Sequence, residues 1–286
     1  MISFVCFALI LLVNVNAFSP SVSKSTRLYI NKSRFLKAQG SDIVFTEVKI
    51  LSNDVEATEL KSITIEVPES LKSEYKTPGQ YVQIKIGDGK PGFYAIASPP
   101  DSPSNKMSFL IKETENNGWF TSLNSGASVE MSPPMGKGFQ IEENFDQYKF
   151  DFPTMRVVMM ATGSGIAPIA SAIDSDLLKL KEVGYNSLFE REAVLYIGAR
   201  TSKHIPFQSK FAGWEKKGVK VVPVLSQPDS DWNGRTGYIQ DVLKEDGVQV
   251  PRNTGVLLCG QRGMVEDSKE TLLSEGCFEG RLLLNF

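Results

Sequence analysis

Apolar and polar positions alternate in short runs over residues 43–139. Phe45-Thr46-Glu47-Val48-Lys49-Ile50-Leu51 alternates in part, and Ile63-Thr64-Ile65-Glu66-Val67 alternates until Pro68 stops it. Tyr81-Val82-Gln83-Ile84-Lys85-Ile86 alternates cleanly, and Met107-Ser108-Phe109-Leu110-Ile111-Lys112 less tidily. A period of two is that of a strand with one face in a core and the other in water. Turn residues punctuate these runs at Pro78-Gly79, Gly87-Asp88-Gly89, Pro99-Pro100 and Asn116-Asn117-Gly118. Short strands punctuated so closely predict an antiparallel barrel or sandwich. No long helical pattern occurs in this half.

The texture changes around 142–153. Beyond it, continuous apolar runs at 156–161, 193–199, 219–225 and 255–259 alternate with helical patterns at 168–181, 206–217 and 264–274. Strands that are apolar throughout and separated by helices belong to a parallel, doubly wound sheet covered on both faces. Within 206–217, Phe207, Phe211 and Trp214 fall at i, i+4 and i+7, the stripe of a helix packed on a core. The chain is therefore expected to fold as an antiparallel β-barrel domain over 41–150, followed by an α/β doubly wound parallel-sheet domain over 151–286.

One stretch organises the second half: Met159-Met160-Ala161-Thr162-Gly163-Ser164-Gly165-Ile166-Ala167-Pro168-Ile169. Its apolar start, 157–161, reads as a buried strand. The Gly-x-Gly breaks it, and Pro168 sits in the first turn of the helix that follows, where proline is tolerated. Glycines at such a turn let backbone N–H groups approach a phosphate, and the helix amino end adds partial positive charge. Nucleotide binding and an ordinary α/β crossover turn both fit this stretch taken by itself.

The first 40 residues read as a leader. Residues 4–15 form an apolar core of signal-peptide length, too short to span a bilayer, and Val15-Asn16-Ala17 suits cleavage. Residues 18–41 contain no acidic residue, many serines and the basic Lys24, Arg27, Lys32, Arg34 and Lys37, a transit-peptide composition. A signal peptide joined to a transit peptide at Ala17-Phe18-Ser19-Pro20 resembles the bipartite presequence of algae with secondary plastids, so a plastid destination is expected, with secretion as the alternative.

Setting the leader aside changes the charge. All 33 acidic residues lie from Asp42 onward, against the 26 basic residues that remain of 31, so the body carries about −7. An acidic body argues against nucleic acid, whose binding rests on phosphate neutralisation by Lys and Arg. No later segment predicts stable membrane insertion. Cys6 lies in the leader, which leaves Cys259 and Cys277, and His204 is the single histidine. Neither a disulfide framework, a Cys/His metal site nor a Ser-His triad can be assembled from these. His204 reads as a surface-loop residue. The chemistry is expected to come from a cofactor.

Four stretches then give the domain order a specific meaning. The sequence resembles the ferredoxin–NADP reductase superfamily of flavoenzymes over about residues 43–286, and within it the plant and algal plastid FAD/NAD(P)-binding oxidoreductases of undefined substrate. Pro78-Gly79-Gln80-Tyr81-Val82 followed by Phe93-Tyr94-Ala95-Ile96-Ala97-Ser98-Pro99 resembles the family's flavin-binding strand pair. Tyr94 matches the aromatic that lies against the flavin, and Ile96-Ala97-Ser98 the usual continuation. Gly92 stands where the family has an arginine for the flavin phosphate, and Ala95 where it has a hydroxyl. Gly118-Trp119-Phe120-Thr121-Ser122-Leu123 resembles the second flavin segment, with Thr121 and Ser122 toward the pyrophosphate.

In the second half, Thr162, Gly163, Gly165 and Pro168 match the nicotinamide-dinucleotide loop. Gly198-Ala199-Arg200-Thr201-Ser202-Lys203 falls where the adenosine ribose is recognised, and Arg200, Ser202 and Lys203 favour NADP over NAD. Ser226-Gln227 lacks the arginine that plant-type NADP reductases often place there. Leu257-Leu258-Cys259-Gly260-Gln261-Arg262-Gly263-Met264 resembles the Cys-Gly-x-x-x-Met strand end, where Cys259 lies beside the nicotinamide with Gly260 and Met264 following. Phe286 ends the chain, where many relatives place an aromatic over the flavin ring.

The resemblance implies an antiparallel β-barrel FAD-binding domain and an NAD(P)-binding α/β domain. It implies hydride transfer from NAD(P)H to FAD, and electrons passed to an acceptor that the sequence does not identify, small molecule or redox protein. Tyr94, Cys259 and Phe286 are the implied catalytic residues. An acidic body offers poor steering to an acidic ferredoxin, so weak or absent ferredoxin reduction is expected. Two alternatives stay open: a nucleotide-binding sensor or assembly protein that holds flavin weakly through the changes at Gly92 and Ala95, and a free-flavin reductase.

Overall fold

A computed structural model describes residues 43–286 apart from 147–148, 151, 181–190 and 286. The expected leader over 1–40 and the terminal Phe286 lie outside the described residues.

The first domain is a six-stranded antiparallel sheet: β1 Thr46–Ala57, β2 Leu60–Glu66, β3 Tyr81–Lys85, β4 Gly92–Ala95, β5 Lys106–Lys112 and β6 Ser128–Met131. Its order is β4-β3-β6-β1-β2-β5, and an Ile96–Phe109 bridge joins the continuation of β4 to β5, so the sheet curls shut. Two short helices, α1 Glu69–Glu74 and α2 Gly118–Thr121, cover it. The alternation seen in the sequence fills the barrel with Val48, Ile50, Ile63, Ile65, Val82, Ile84, Met107 and Phe109. Gln83 departs from that pattern. It is buried because Ser132 and Met135 fold over the outer face of β3, with the Gln83 N–H donating to Ser132 Oγ at 2.8 Å.

β1 is twice the usual strand length, with irregularities at Ile50/Ser52 and Val55/Ala57 that bend it. β6 pairs only with its first third, Thr46 to Lys49. The far end of the β1–β2 hairpin therefore runs on past the barrel.

The second domain is a six-stranded parallel sheet: β7 Arg156–Thr162, β8 Glu192–Ala199, β9 Val219–Leu225, β10 Arg235–Thr236, β11 Thr254–Cys259 and β12 Leu282–Leu284, in the order β10-β9-β8-β7-β11-β12. The central strands are buried on both faces, which is why their sequences show no alternation. Helices α3 Ile166–Asp174, α4 Gln208–Lys216, α5 Ile239–Asp246 and α6 Arg262–Ser274 pack on the two faces.

Two helices are shorter than their sequence patterns predict. The helix expected over 168–181 ends at Asp174, because Ser175 turns extended and bonds its hydroxyl to the Ala172 carbonyl. The leucines that follow belong to a 3₁₀ turn, Asp176–Leu178, not to a longer helix. The helix expected over 206–217 starts after Phe207, which takes a left-handed φ of 58° and still packs edge-on against Trp214.

The domains share a core. Ala57, Leu60, Ala97 and Leu110 of the barrel belong to the same buried cluster as Ile166, Ala167 and Ala170 of α3. Beside it the half-buried Ser98 carbonyl, just after β4, accepts from Tyr75 Oη at 3.0 Å and from Ser171 Oγ of α3 at 2.9 Å. The two hydroxyls lie 2.6 Å apart, so two protons serve three contacts. Burial pushes the Tyr75 phenol well above its ordinary value and keeps it protonated. Tyr75→Phe is expected to destabilise the protein by about 1–2 kcal/mol, the cost of leaving buried partners unsatisfied. A urea midpoint equal to that of the parent would show that the domains are held without this knot.

Candidate functional site

The strand order reverses between β7 and β11, and in an open α/β sheet the crevice at such a switch point is where ligands bind. Here the strand-end loops nearly touch. A Cβ on Gly165 would sit 2.5 Å from the Cys259 carbonyl oxygen and 2.7 Å from the Gly260 Cα, so only glycine permits this approach. Thr162 ties the loops together, its Oγ1 accepting from the Gln261 N–H at 2.9 Å. Gly163, with φ of +56°, faces open space and starts the 3₁₀ turn Gly163–Gly165 that leads into α3.

The crevice widens into a cleft of about 910 Å³ between the domains. The α/β side presents the amino ends of three helices: Gly163 to Gly165 before α3, Gly237 to Gln240 at α5, and Gln261 to Met264 at α6. In none of the three does the N-cap side chain bond the first-turn amides. Uncapped amides and aligned helix dipoles make this wall attractive to anions. The barrel side presents Phe93 and Ala95 of β4, Thr58 and Glu59 at the hairpin tip, and Lys112. β12 runs parallel to β11 and brings Asn285 to the same cleft.

Of the residues predicted from sequence, Ala95, Thr162, Gly163, Gly165, Pro168, Arg200, Cys259, Gly260 and Met264 line this one cleft. Ser202 and Lys203 stand next to Arg200 at its edge; the Ser202 hydroxyl donates to Asp229 at 2.5 Å and the Lys203 carbonyl accepts from the Thr58 N–H at 2.9 Å.

Others point elsewhere. Tyr94 is buried in the barrel, packs on Phe120 at 5.0 Å, and folds its ring over Gly92, which a Cβ there would strike. Strand alternation puts Phe93 and Ala95, not Tyr94, on the cleft. Ile96 fills the barrel, Ala97 the shared core, and Ser98 Oγ accepts from the Ser108 N–H. Thr121 and Ser122 return their hydroxyls to the Asn117 and Gly118 carbonyls, so Gly118, Thr121 and Ser122 form a self-contained turn on the barrel.

Cys259 is the last residue of β11, and burial pushes its thiol up to about 11. It is a neutral wall residue, with Sγ 4.0 Å from the Asn285 carbonyl.

Two lining residues, Glu59 and Tyr238, were not singled out in the sequence, and His204 lies elsewhere than expected. Glu59 reaches in from the hairpin and forms ion pairs with Arg200 and, at 3.4 Å, with Lys112; the Arg200 hydrogen bond chiefly holds its carboxyl below the usual range. Tyr238 stands exposed before α5. His204 is half-buried in a 3₁₀ turn and bonds Thr201 through Nδ1, lining the cleft instead of lying on an outer loop. The signal for Glu59 was weak: a lone acid in a turn, whose partner Arg200 lies far along the chain in the other domain. Among the described residues there is no cluster of His, Cys, Asp and Glu able to hold a metal, and no helix long and apolar enough to cross a membrane.

Residues 159–270 match an oxidoreductase NAD-binding domain. The chain is 34% identical over 221 residues to the fruit protein pKIWI502 of Actinidia deliciosa, covering 73% of this chain and 66% of that protein. It is 24% identical over 241 residues to the CDP-6-deoxy-L-threo-D-glycero-4-hexulose-3-dehydrase reductase of Yersinia pseudotuberculosis, covering 82% and 66%. The chain thus spans just under two thirds of the length of these curated relatives. In structure it is similar to a ferredoxin NADP+ reductase from Neisseria gonorrhoeae with bound FAD and NADP, at a TM-score of 0.69 and 21% identity, over 85% of this chain and 98% of that one.

Gly165→Ala forces backbone against backbone and is expected to cost about 1–3 kcal/mol, measured by urea denaturation; an unshifted midpoint would mean the strand-end loops have slack. Because the Cys259 thiol stays protonated until the pH approaches about 11, iodoacetamide near pH 8 should modify it far more slowly than a free cysteine of pKa about 8.5. Its labelling rate should climb as the pH is raised, and rapid labelling near neutrality would contradict the burial described.

Proposed function

We propose, from the premise that the chain belongs to the ferredoxin–NADP reductase-like superfamily, that it is an FAD-dependent reductase. It takes hydride from a pyridine nucleotide held in the cleft and passes electrons to a separate acceptor. The observation that carries this reading is the convergence of three helix amino ends and a glycine turn on a cleft whose far wall is a barrel strand. Such a wall suits a pyrophosphate, and the matched oxidoreductase NAD-binding domain covers the same residues.

A flavin supplies the hydride-accepting and electron-passing chemistry when bound. The chain supplies position and exclusion of water. Gly163 to Gly165 and the amino end of α3 hold the pyrophosphate, and exposed Tyr238 offers a face for the adenine. Phe93 and Ala95 on one side, with Cys259 and Asn285 on the other, would hold the ring systems of flavin and nicotinamide. A neutral thiol is a fitting wall there, since it brings neither a charge nor a competing nucleophile.

On the barrel the fit to FAD is uneven. The ring end has an apolar strand face, Phe93 being 63% exposed. The phosphate end has no guanidinium from β4, which has glycine at position 92 under the Tyr94 ring, and the hydroxyls of Thr121 and Ser122 are already bonded within α2 and its cap. Retention of FAD then rests on backbone groups and shape and is weak. That favours, as a second reading, a reductase that exchanges its flavin or a protein that binds the nucleotide without one. The leader composition supports a plastid destination, and the electron acceptor stays a redox partner or small molecule outside the chain.

The deciding test is a visible spectrum of the purified protein, before and after adding FAD and desalting, followed by anaerobic titration with NADH and NADPH. Bound flavin that bleaches supports the reductase. Protein that stays colourless after reconstitution would move the assignment to the flavin-free nucleotide binder.

A further inference from the structure

In a doubly wound sheet a dinucleotide lies across the carboxyl ends of the strands. Its pyrophosphate sits at the first helix, and its adenosine ribose at the end of the neighbouring second strand. Here those positions are the α3 turn and the end of β8, where Arg200 follows Ala199. An acid at the second position accepts from the ribose 2′-hydroxyl, whereas an arginine receives a 2′-phosphate. This chain has the arginine in place and brings an acid to it from the other domain. We propose that Glu59, at the tip of the barrel's β1–β2 hairpin, is a selectivity residue that competes with a 2′-phosphate for Arg200 and biases the cleft toward NADH. The inference rests on the reading that the cleft holds a pyridine nucleotide.

Four observations fix the carboxylate where it can act. The Thr58 N–H donates to the Lys203 carbonyl at 2.9 Å, a backbone bond between hairpin and α/β domain. The Phe207 N–H donates to Glu56 Oε1 at 2.8 Å, a second tie from the same strand. Glu59 itself takes φ of 65°, a left-handed conformation that glycine or asparagine adopts more readily, so the side chain is kept at some cost to the backbone. Its two oxygens are both engaged: Oε1 with Arg200 and Oε2 with Lys112 at 3.4 Å.

The rest of the subsite repeats the arrangement. Asp229 accepts from the Ser202 hydroxyl at 2.5 Å and the Ser202 N–H at 3.3 Å, so that hydroxyl and amide are already bonded to an acid. A 2′-phosphate brings close to two negative charges. To bind, it would have to draw Arg200 away and leave Glu59 short of a partner beside a dianion. A ribose bearing only its hydroxyl meets no such conflict and offers Glu59 a donor.

The test needs no flavin. Adenosine 5′-phosphate and adenosine 2′,5′-bisphosphate are titrated into the full-length protein by calorimetry, for the parent, Glu59→Gln, and Glu59→Gln combined with Arg200→Ala. Glu59→Gln is expected to raise the affinity ratio of bisphosphate to monophosphate roughly tenfold, about one charge-assisted contact to a phosphate. Adding Arg200→Ala should erase that gain, because the freed arginine is what the phosphate binds. A ratio within about twofold of the parent in Glu59→Gln, or a gain that survives loss of Arg200, overturns the role of Glu59. Failure of both nucleotides to bind the parent overturns the reading of the cleft and this inference together.

Discussion

The three oxygens of Ser98, Tyr75 and Ser171 set the relation between the two halves of this molecule. The Tyr75 and Ser171 hydroxyls are buried and the Ser98 carbonyl half-buried; they come from the α1 exit, the middle of α3 and the β4 exit, and they share two protons. The helix that begins at the glycine turn is thus pinned directly to the barrel. Nothing about either domain alone dictates how far β4 stands from the strand ends of the parallel sheet. The knot does, helped by the apolar cluster in which barrel alanines meet those of α3. Buried polar groups of this kind contribute modest net stability but tolerate few alternative arrangements, which suits a cleft whose walls come from different domains.

Around that fixed relation, the cleft divides by chemistry. Backbone predominates at the switch point: glycines at 163, 165 and 260, uncapped helix amides, and a threonine hydroxyl engaged in holding two loops together. Side-chain charge gathers at the far end, where Glu59 and, a little outside, Asp229 stand among Lys112, Arg200 and Lys203. An anion is accommodated at the first by geometry. At the second, Arg200 and Lys112 already share a carboxylate partner.

Much of this was legible in the sequence, for reasons that particular residues make plain. Period-two alternation revealed β1, β2, β3 and β5 because their outer faces carry polar side chains, and unbroken apolar runs revealed β7, β8, β9 and β11 because both faces of those strands are packed. The switch-point residues were legible because paired glycines between a buried strand and a helix leave the backbone bare, and bare backbone there serves close approach. Tyr94 was harder. Its motif placed it on the ligand, yet with glycine at 92 the ring has room to lie back over the strand, and its neighbours Phe93 and Ala95 hold the exposed face. β6, β10 and β12 are too short to carry a pattern, and the helix at Ile239 offered a single turn of apolar spacing. Glu59 had only the weak signature of an acid in a turn, since its meaning lies in a partner on the other domain.

The hairpin that carries Glu59 has a further consequence for how such a protein can change. Coenzyme choice is usually thought to travel with the nucleotide domain, so that exchanging that domain exchanges the preference. Here the arginine and the carboxylate paired with it lie on different domains of one chain. A recombination at the 132–155 connection would part them, leaving one descendant with an unrestrained arginine and the other with a carboxylate facing a stranger. On the role proposed for Glu59, the preference is a property of the pairing of the domains.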